Sequence, residues 1–191
     1  VEPTNARPCD APGGWCLRPD LPAEPADPGL PAVTLADLQS FRPATPELLG
    51  EPAGFGVVGM PTNFVATASE QEIPGVLLGY PVTVRFTPTG FVFSYGDGTS
   101  ARSPSGGATW AQVGTVQFSP TDTAHVYGER GIYRASVAVE YAASVDFGTG
   151  WIPVDGVVTA SSGAYPVEVI EVRTALVDRT CAEDPAGPGC G

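Results

Sequence analysis

Three observations on this chain of 191 residues predict an all-β fold of many short strands joined by tight turns. First, 24 Gly and 21 Pro stand beside a hydrophobic content of 42%. That mixture supplies a core and many turns while disfavouring long helices. Second, from Gly54 onward apolar and polar residues alternate at the two-residue period of a strand. Third, 11 of the prolines fall before residue 53, which sets the N-terminal stretch apart. The expected organisation is a Pro-rich arm over 1–52, a β-rich body over 53–178 and a short C-terminal tail over 179–191.

Within the arm, Pro19 to Pro31 has proline at about every third position, so it is expected to be extended or polyproline-like. Thr34-Leu35-Ala36-Asp37 has the form of a capping box opening a helix that runs to about Phe41. Thr45-Pro46-Glu47-Leu48-Leu49-Gly50 reads as a single helical turn, with Thr as N-cap, Pro at the first helical position and Gly after the end. Leu35, Leu38, Phe41, Leu48 and Leu49 are expected to pin the arm to a sheet.

The body begins with strands near Phe55–Val58 and Asn63–Ala68, then Val76–Leu78 and Pro81–Thr87, where Val82, Val84 and Phe86 share a face. Phe91, Phe93 and Tyr95 line one face of the next strand. The clearest strand is Ile132–Tyr141, in which Tyr133, Ala135, Val137, Val139 and Tyr141 alternate with Arg134, Ser136, Ala138 and Glu140. One face is core and the other meets water. The last strands are expected near Trp151–Val154 and Pro166–Val177.

Charge and cysteine usage narrow the setting. Twenty-one acidic residues face nine arginines, with no lysine, for a formal charge of −12. Such a surface repels phosphate backbones and anionic lipid, which argues against nucleic-acid and membrane-surface partners. Cys9 with Cys16 and Cys181 with Cys190 form two local pairs and read as disulfides made in an oxidising compartment. Neither spacing suits zinc, which would also call on His ligands, and His125 is the only histidine. The Val1 start is the expected appearance of a processed, secreted protein at the cell surface. No apolar run reaches the ~20 residues of a membrane span.

The stretch Phe93-Ser-Tyr-Gly96-Asp97-Gly98-Thr-Ser resembles the central signature of PKD domains, an aromatic strand running into a GDG-T turn. Downstream, His125-Val-Tyr127 followed by Gly131-Ile-Tyr133 and completed by Val137 and Val139 resembles the second signature of that family. The resemblance covers Pro81 to about Val145 and implies an immunoglobulin-like β-sandwich with an extracellular role. There are departures. The family's tryptophan ahead of the turn strand is missing, with Phe91 or Phe93 in its place, and Tyr95 stands where phenylalanine is usual. Ala101–Ser119 is a long insertion, and the strands over 54–79 and 151–177 are extra, expected on the sandwich edges.

The motif residues also make sense physically. Gly96-Asp97-Gly98 suits positive φ with a carboxylate that caps its own turn. Tyr127 and Tyr133 bury rings while their hydroxyls seek backbone partners. Gly131 is expected to let the chain reverse between two strands.

Catalytic candidates are scarce. A Ser-His-Asp triad would need His125, which sits inside the strand motif, and no carboxylate pair stands out for glycoside hydrolysis. No catalytic residue and no cofactor are expected. Asp97, Asp122, Asp146 and Asp155 lie in or near turns where oxygen ligands can hold Ca²⁺, but no DxDxDG-like run exists. Among the tryptophans, Trp15 is expected on its neighbouring disulfide and Trp151 in the core. Trp110, in a Gly/Ser-rich stretch, is the best of the three as a candidate for an exposed ligand contact. The sequence therefore points to a non-catalytic extracellular structural or adhesive module, with two courses open to its N-terminal arm: wrapping around its own domain, or docking onto copies of itself so that the module self-assembles. The alternative is a carbohydrate-binding accessory protein that uses Trp110 against polysaccharide, and a third, a hydrolase with a carboxylate pair.

Overall fold

The computed structural model describes residues 7–8, 15–16, 32–173, 180–187 and 190. The chain is all-β and falls into two units, Val1–Ala32 and Val33–Gly191. In the first unit, β1 (Arg7–Pro8) and β2 (Trp15–Cys16) pair antiparallel, with Arg7 opposite Cys16. The expected Cys9–Cys16 disulfide and the Pro-rich run over 19–31 lie outside the described residues.

The boundary at 32/33 corrects the one expected at 52/53. Residues 33–52 belong to the larger unit because Leu38, Phe41 and Leu48 are buried in its core. Thr34 does start a turn, its amide and hydroxyl both donating to Asp37 Oδ2, but the helix that follows is a single 3₁₀ turn at Asp37–Ser40. The second expected helix is a strand, β3 (Glu47–Glu51), which pairs antiparallel with β5 (Pro61–Thr67). Leu48 points inward and Leu49 outward, so the strand buries one apolar face against a partner, a gain that outweighs its local helix-start chemistry. β9 (His125–Val126) completes a three-stranded sheet in the order β3-β5-β9.

A seven-stranded sheet is built on two long strands, β7 (Tyr80–Ser94) and β10 (Gly131–Asp146), paired antiparallel from Thr83↔Asp146 to Ser94↔Ser136. β6 (Gln71–Leu77) and β8 (Ser100–Ser103) hang on successive halves of β7. β12 (Tyr165–Ile170) and β11 (Trp151–Ser161) do the same on β10, and β4 (Phe55–Val57) adds parallel to β12.

The two apolar stretches expected as separate strands at 81–87 and 91–95 are thus largely one strand. Val82, Val84 and Phe86 are buried at even positions, Phe91 and Phe93 at odd ones. A β-bulge reconciles them: Pro88 faces Tyr141 and Gly90 faces Glu140, leaving Thr89 as the extra residue. Its hydroxyl donates to the Glu140 carbonyl. The inward residues of both sheets merge into one cluster that includes Phe64, Phe86, Phe93, Val137, Val139 and Tyr141.

In the tail, Cys181 and Cys190 are disulfide-bonded with Cα atoms 5.3 Å apart. Among the described residues no helix is long and apolar enough to cross a membrane.

Because Phe41 is only 6% exposed and its ring lies over Gly75, Phe41→Ala is expected to lower stability by about 3 kcal/mol, read as a shifted urea midpoint with unchanged slope.

Candidate functional site

The turn after β7 places the signature residues. Tyr95 N–H donates to the Thr99 carbonyl, and Asp97 Oδ1 accepts from both the amide and the hydroxyl of Thr99. Gly96 has φ +82, and a Cβ there would stand 2.5 Å from the Arg134 amide nitrogen. Only glycine fits both the backbone conformation and that close approach.

The other oxygen of Asp97, Oδ2, lies 2.6 Å from His125 Nε2. His125 sits on β9, opposite Thr62, so this contact ties the turn of one sheet to a strand of the other. Tyr95 stacks on the His125 ring at 4.1 Å with planes 6° apart, and Tyr127 meets the ring edge-on at 4.7 Å. The fully buried Tyr127 donates its hydroxyl to the Tyr95 carbonyl at 2.9 Å. Tyr133 stacks on Tyr127 at 4.5 Å and donates to the Glu129 carbonyl at 3.0 Å. Gly98 lies in the same turn with φ +90. Gly131 does not act as the expected reversal: it opens β10 opposite Val169, without positive φ, and the turn is made by the residues before it.

The electrostatics follow from this geometry. Burial alone would raise the Asp97 carboxyl, but hydrogen bonds from the Thr99 hydroxyl and amide and from His125, with the imidazole charge, hold it down to about 2. Burial, reinforced by the Asp97 charge, pushes the Tyr127 phenol well above its usual value. Among the described residues, His125 hydrogen-bonds to Asp97 alone, and its ring is enclosed by two tyrosines. What the arrangement does chemically is lock a turn, a strand and two aromatic rings into one network.

The carboxylates considered for Ca²⁺ have other occupations. Asp146 Oδ1 accepts from the amides of Gly148 and Gly150, which lowers its pKa. Among the described residues no three His, Cys, Asp or Glu side chains gather in a metal-binding group, and Asp122 and Asp155 join none.

Trp110 overturns the expectation of an exposed contact residue. It is 4% exposed, begins a short helix, α1 (Trp110–Val113), and packs on Phe118, while its indole N–H donates to the Ser119 carbonyl. The helix is stopped at both ends by local chemistry, a Thr109–Gln112 capping box and left-handed Gly114. Trp151 is half-buried, with the Arg85 guanidinium 3.8 Å above its ring.

Sequence reasoning missed a second polar hub, at Asn63. This fully buried side chain donates to Glu51 Oε2 and the Ala108 carbonyl and accepts from the Thr121 hydroxyl. Glu51 Oε2 also accepts the Trp110 amide. The hub fastens the long insertion to β3 and β5. Its one sequence signal is a polar residue between Thr62 and Phe64 in an otherwise strand-like run.

In comparisons with known proteins, no family model matches this chain and no curated protein matches it.

Two outcomes test the network. A carboxyl depressed from 3.8 to about 2 in the fold adds stability that is complete above the higher value and is lost as pH falls from about 4 to about 2. Asp97→Asn should remove that part of the acid dependence, up to about 2 kcal/mol, in urea titrations run across this range. Gly96→Ala is expected to cost more than about 2 kcal/mol in thermal or urea unfolding, because strain and the clash with Arg134 add.

Proposed function

We propose that this chain is a non-catalytic extracellular structural or adhesive module, a PKD-like β-sandwich that joins copies of itself through its N-terminal arm. The observation that carries this reading is the use made of the signature residues. Asp97, His125, Tyr127 and Tyr133, the groups best suited to chemistry, are bound to one another and to backbone in a network linking two sheets. In the proposed sandwich, the three-stranded and seven-stranded sheets are the two layers around the shared core. The Cys181–Cys190 disulfide is compatible with an oxidising, extracellular setting. The polysaccharide reading loses its platform, since Trp110 is buried and bonded within its own loop.

The arm relevant to assembly is the unit ending at Ala32, since removal of 33–52 would take Leu38, Phe41 and Leu48 from the core. Light scattering on the full chain and on a form lacking residues 1–32 tests the reading. The expected outcome is large particles from the full chain and loss of particles above a dimer on truncation, with the thermal transition retained. Equal size in both forms would overturn it.

A further inference from the structure

At the end of the seven-stranded sheet where β10 begins and β12 finishes, a cleft of about 760 Å³ is bordered by Arg130, Ile132, Glu168, Ile170, Glu171 and Arg173. Ile132 is 74% exposed and Ile170 42% exposed. The register fixes their positions. Ile132 lies opposite Glu168, and Gly131 opposite Val169, so Arg130 falls beside Ile170. The four side chains form a square on the outer face, with isoleucines on one diagonal and opposite charges on the other. Glu171 and Arg173 pair with each other at 3.0 Å and border the square as a neutral unit. Among the described residues no ion pair joins Arg130 or Glu168 to another side chain.

From this arrangement we infer that the outer face of β4-β12-β10 is a two-fold interface whose occupant is a second copy of this chain. An axis lying in the face along the Ile132–Ile170 diagonal sets Ile132 against Ile132 and Ile170 against Ile170. The same rotation sets Arg130 of each copy against Glu168 of the other, so the square is complementary to itself. The square itself carries no net charge, and Arg134, the next exposed residue on this face of β10, adds one positive charge on a chain of net charge −12, so the face lacks the acidic excess that drives copies apart. Beyond the square the face continues past Arg134, opposite Pro166 of β12, to Ser136 and Ala138 of β10, opposite Ser94 and Val92 of β7. These short side chains let a second sheet come close. At ~20 Å along the strands and about 15–20 Å across, the face offers about 300–400 Å² on each copy, less than a stable dimer needs, so a weak, transient dimer populated at about 100 μM is expected.

This interface is separate from the arm contact proposed above, and a cross-link at the axis tells the two apart. Full-length Ile132→Cys, at about 100 μM with a short bis-maleimide, should give a covalent dimer at least about tenfold more abundant than full-length Val116→Cys, whose site is 78% exposed elsewhere. Adding Arg130→Glu should cut the cross-link about tenfold, and adding Glu168→Arg as well should restore it, an outcome that a misfolded variant would not give. A cross-link no stronger than the Val116→Cys control, or one unchanged by Arg130→Glu, overturns the interface. Large arm-dependent particles without the cross-link would leave the arm reading standing. A cross-linked dimer with no larger species, whether or not residues 1–32 are present, would overturn the arm reading alone. A full chain that stays monomeric at this concentration overturns both.

Discussion

The inward faces of β7 cannot be reconciled with one core unless one residue is taken out of register, and Thr89 is that residue. Side chains of a strand alternate strictly, so Val82, Val84 and Phe86 at even positions would point away from Phe91 and Phe93 at odd ones. The bulge opposite Glu140 and Tyr141 shifts the phase once and brings both sets to the same side. The rest of the seven-stranded sheet depends on this step, because β6 and β8 pair with the two halves of β7, and β10 carries β11 and β12. Gly90, at the step, leaves room for the paired side chains of Arg102 and Glu140, which a Cβ there would crowd to 3.0 Å.

A second constraint acts between the sheets. The turn that follows β7 gives up one carboxylate oxygen to its own backbone and hydroxyl, and the other to a histidine 28 residues later in the chain. Tyr127 then returns a hydrogen bond to the start of the same turn. Each link is modest, on the order of 1 kcal/mol net for an ordinary bond and more for a charge-assisted one. Their value is in closing a loop of contacts between elements that no backbone ladder joins. The hub at Asn63 plays the same part for the insertion, with Glu51 shared between Asn63 and the Trp110 amide.

What could be read from the sequence was whatever depends on near neighbours. The alternation in β10 identified its buried face, and Leu38, Phe41 and Leu48 were recognisable as anchors because apolar side chains in a polar arm need a surface to cover. The GDG turn was legible because positive φ and self-capping are local properties. Elements set by distant partners were misread. Thr45 to Gly50 carries the punctuation of a helical turn, yet the inward alternation of Pro46, Leu48 and Gly50 suits a strand once β5 is there to pair with it. Trp110 looked exposed because its flanks are rich in Gly and Ser. The nearby Thr109-x-x-Gln112 cap was the signal of an ordered turn, and the indole's partner, Ser119, lies within the same insertion. Asn63 could not be read as a hub, since its partners come from β3, from Ala108 in the insertion and from Thr121 just beyond it.

The distribution of arginine bears on how such a chain can meet its own kind. With 21 acids and nine arginines, most surfaces of two copies repel at short range. Arg85 serves Glu70 and Glu72 and covers Trp151, and Arg102 serves Glu140, so these two positive charges neutralise their own neighbours. Arg130 differs: its nearest register neighbour is an exposed isoleucine, with Glu168 one diagonal away and engaged in no ion pair among the described residues. A single exposed isoleucine is ordinary on a soluble protein. Two on one diagonal, crossed by opposite charges, form a pattern that folding of one copy does not explain, because both charges would be better solvated apart from apolar surface. The pattern does have a use when a second face, turned over about the apolar diagonal, supplies each charge with its opposite.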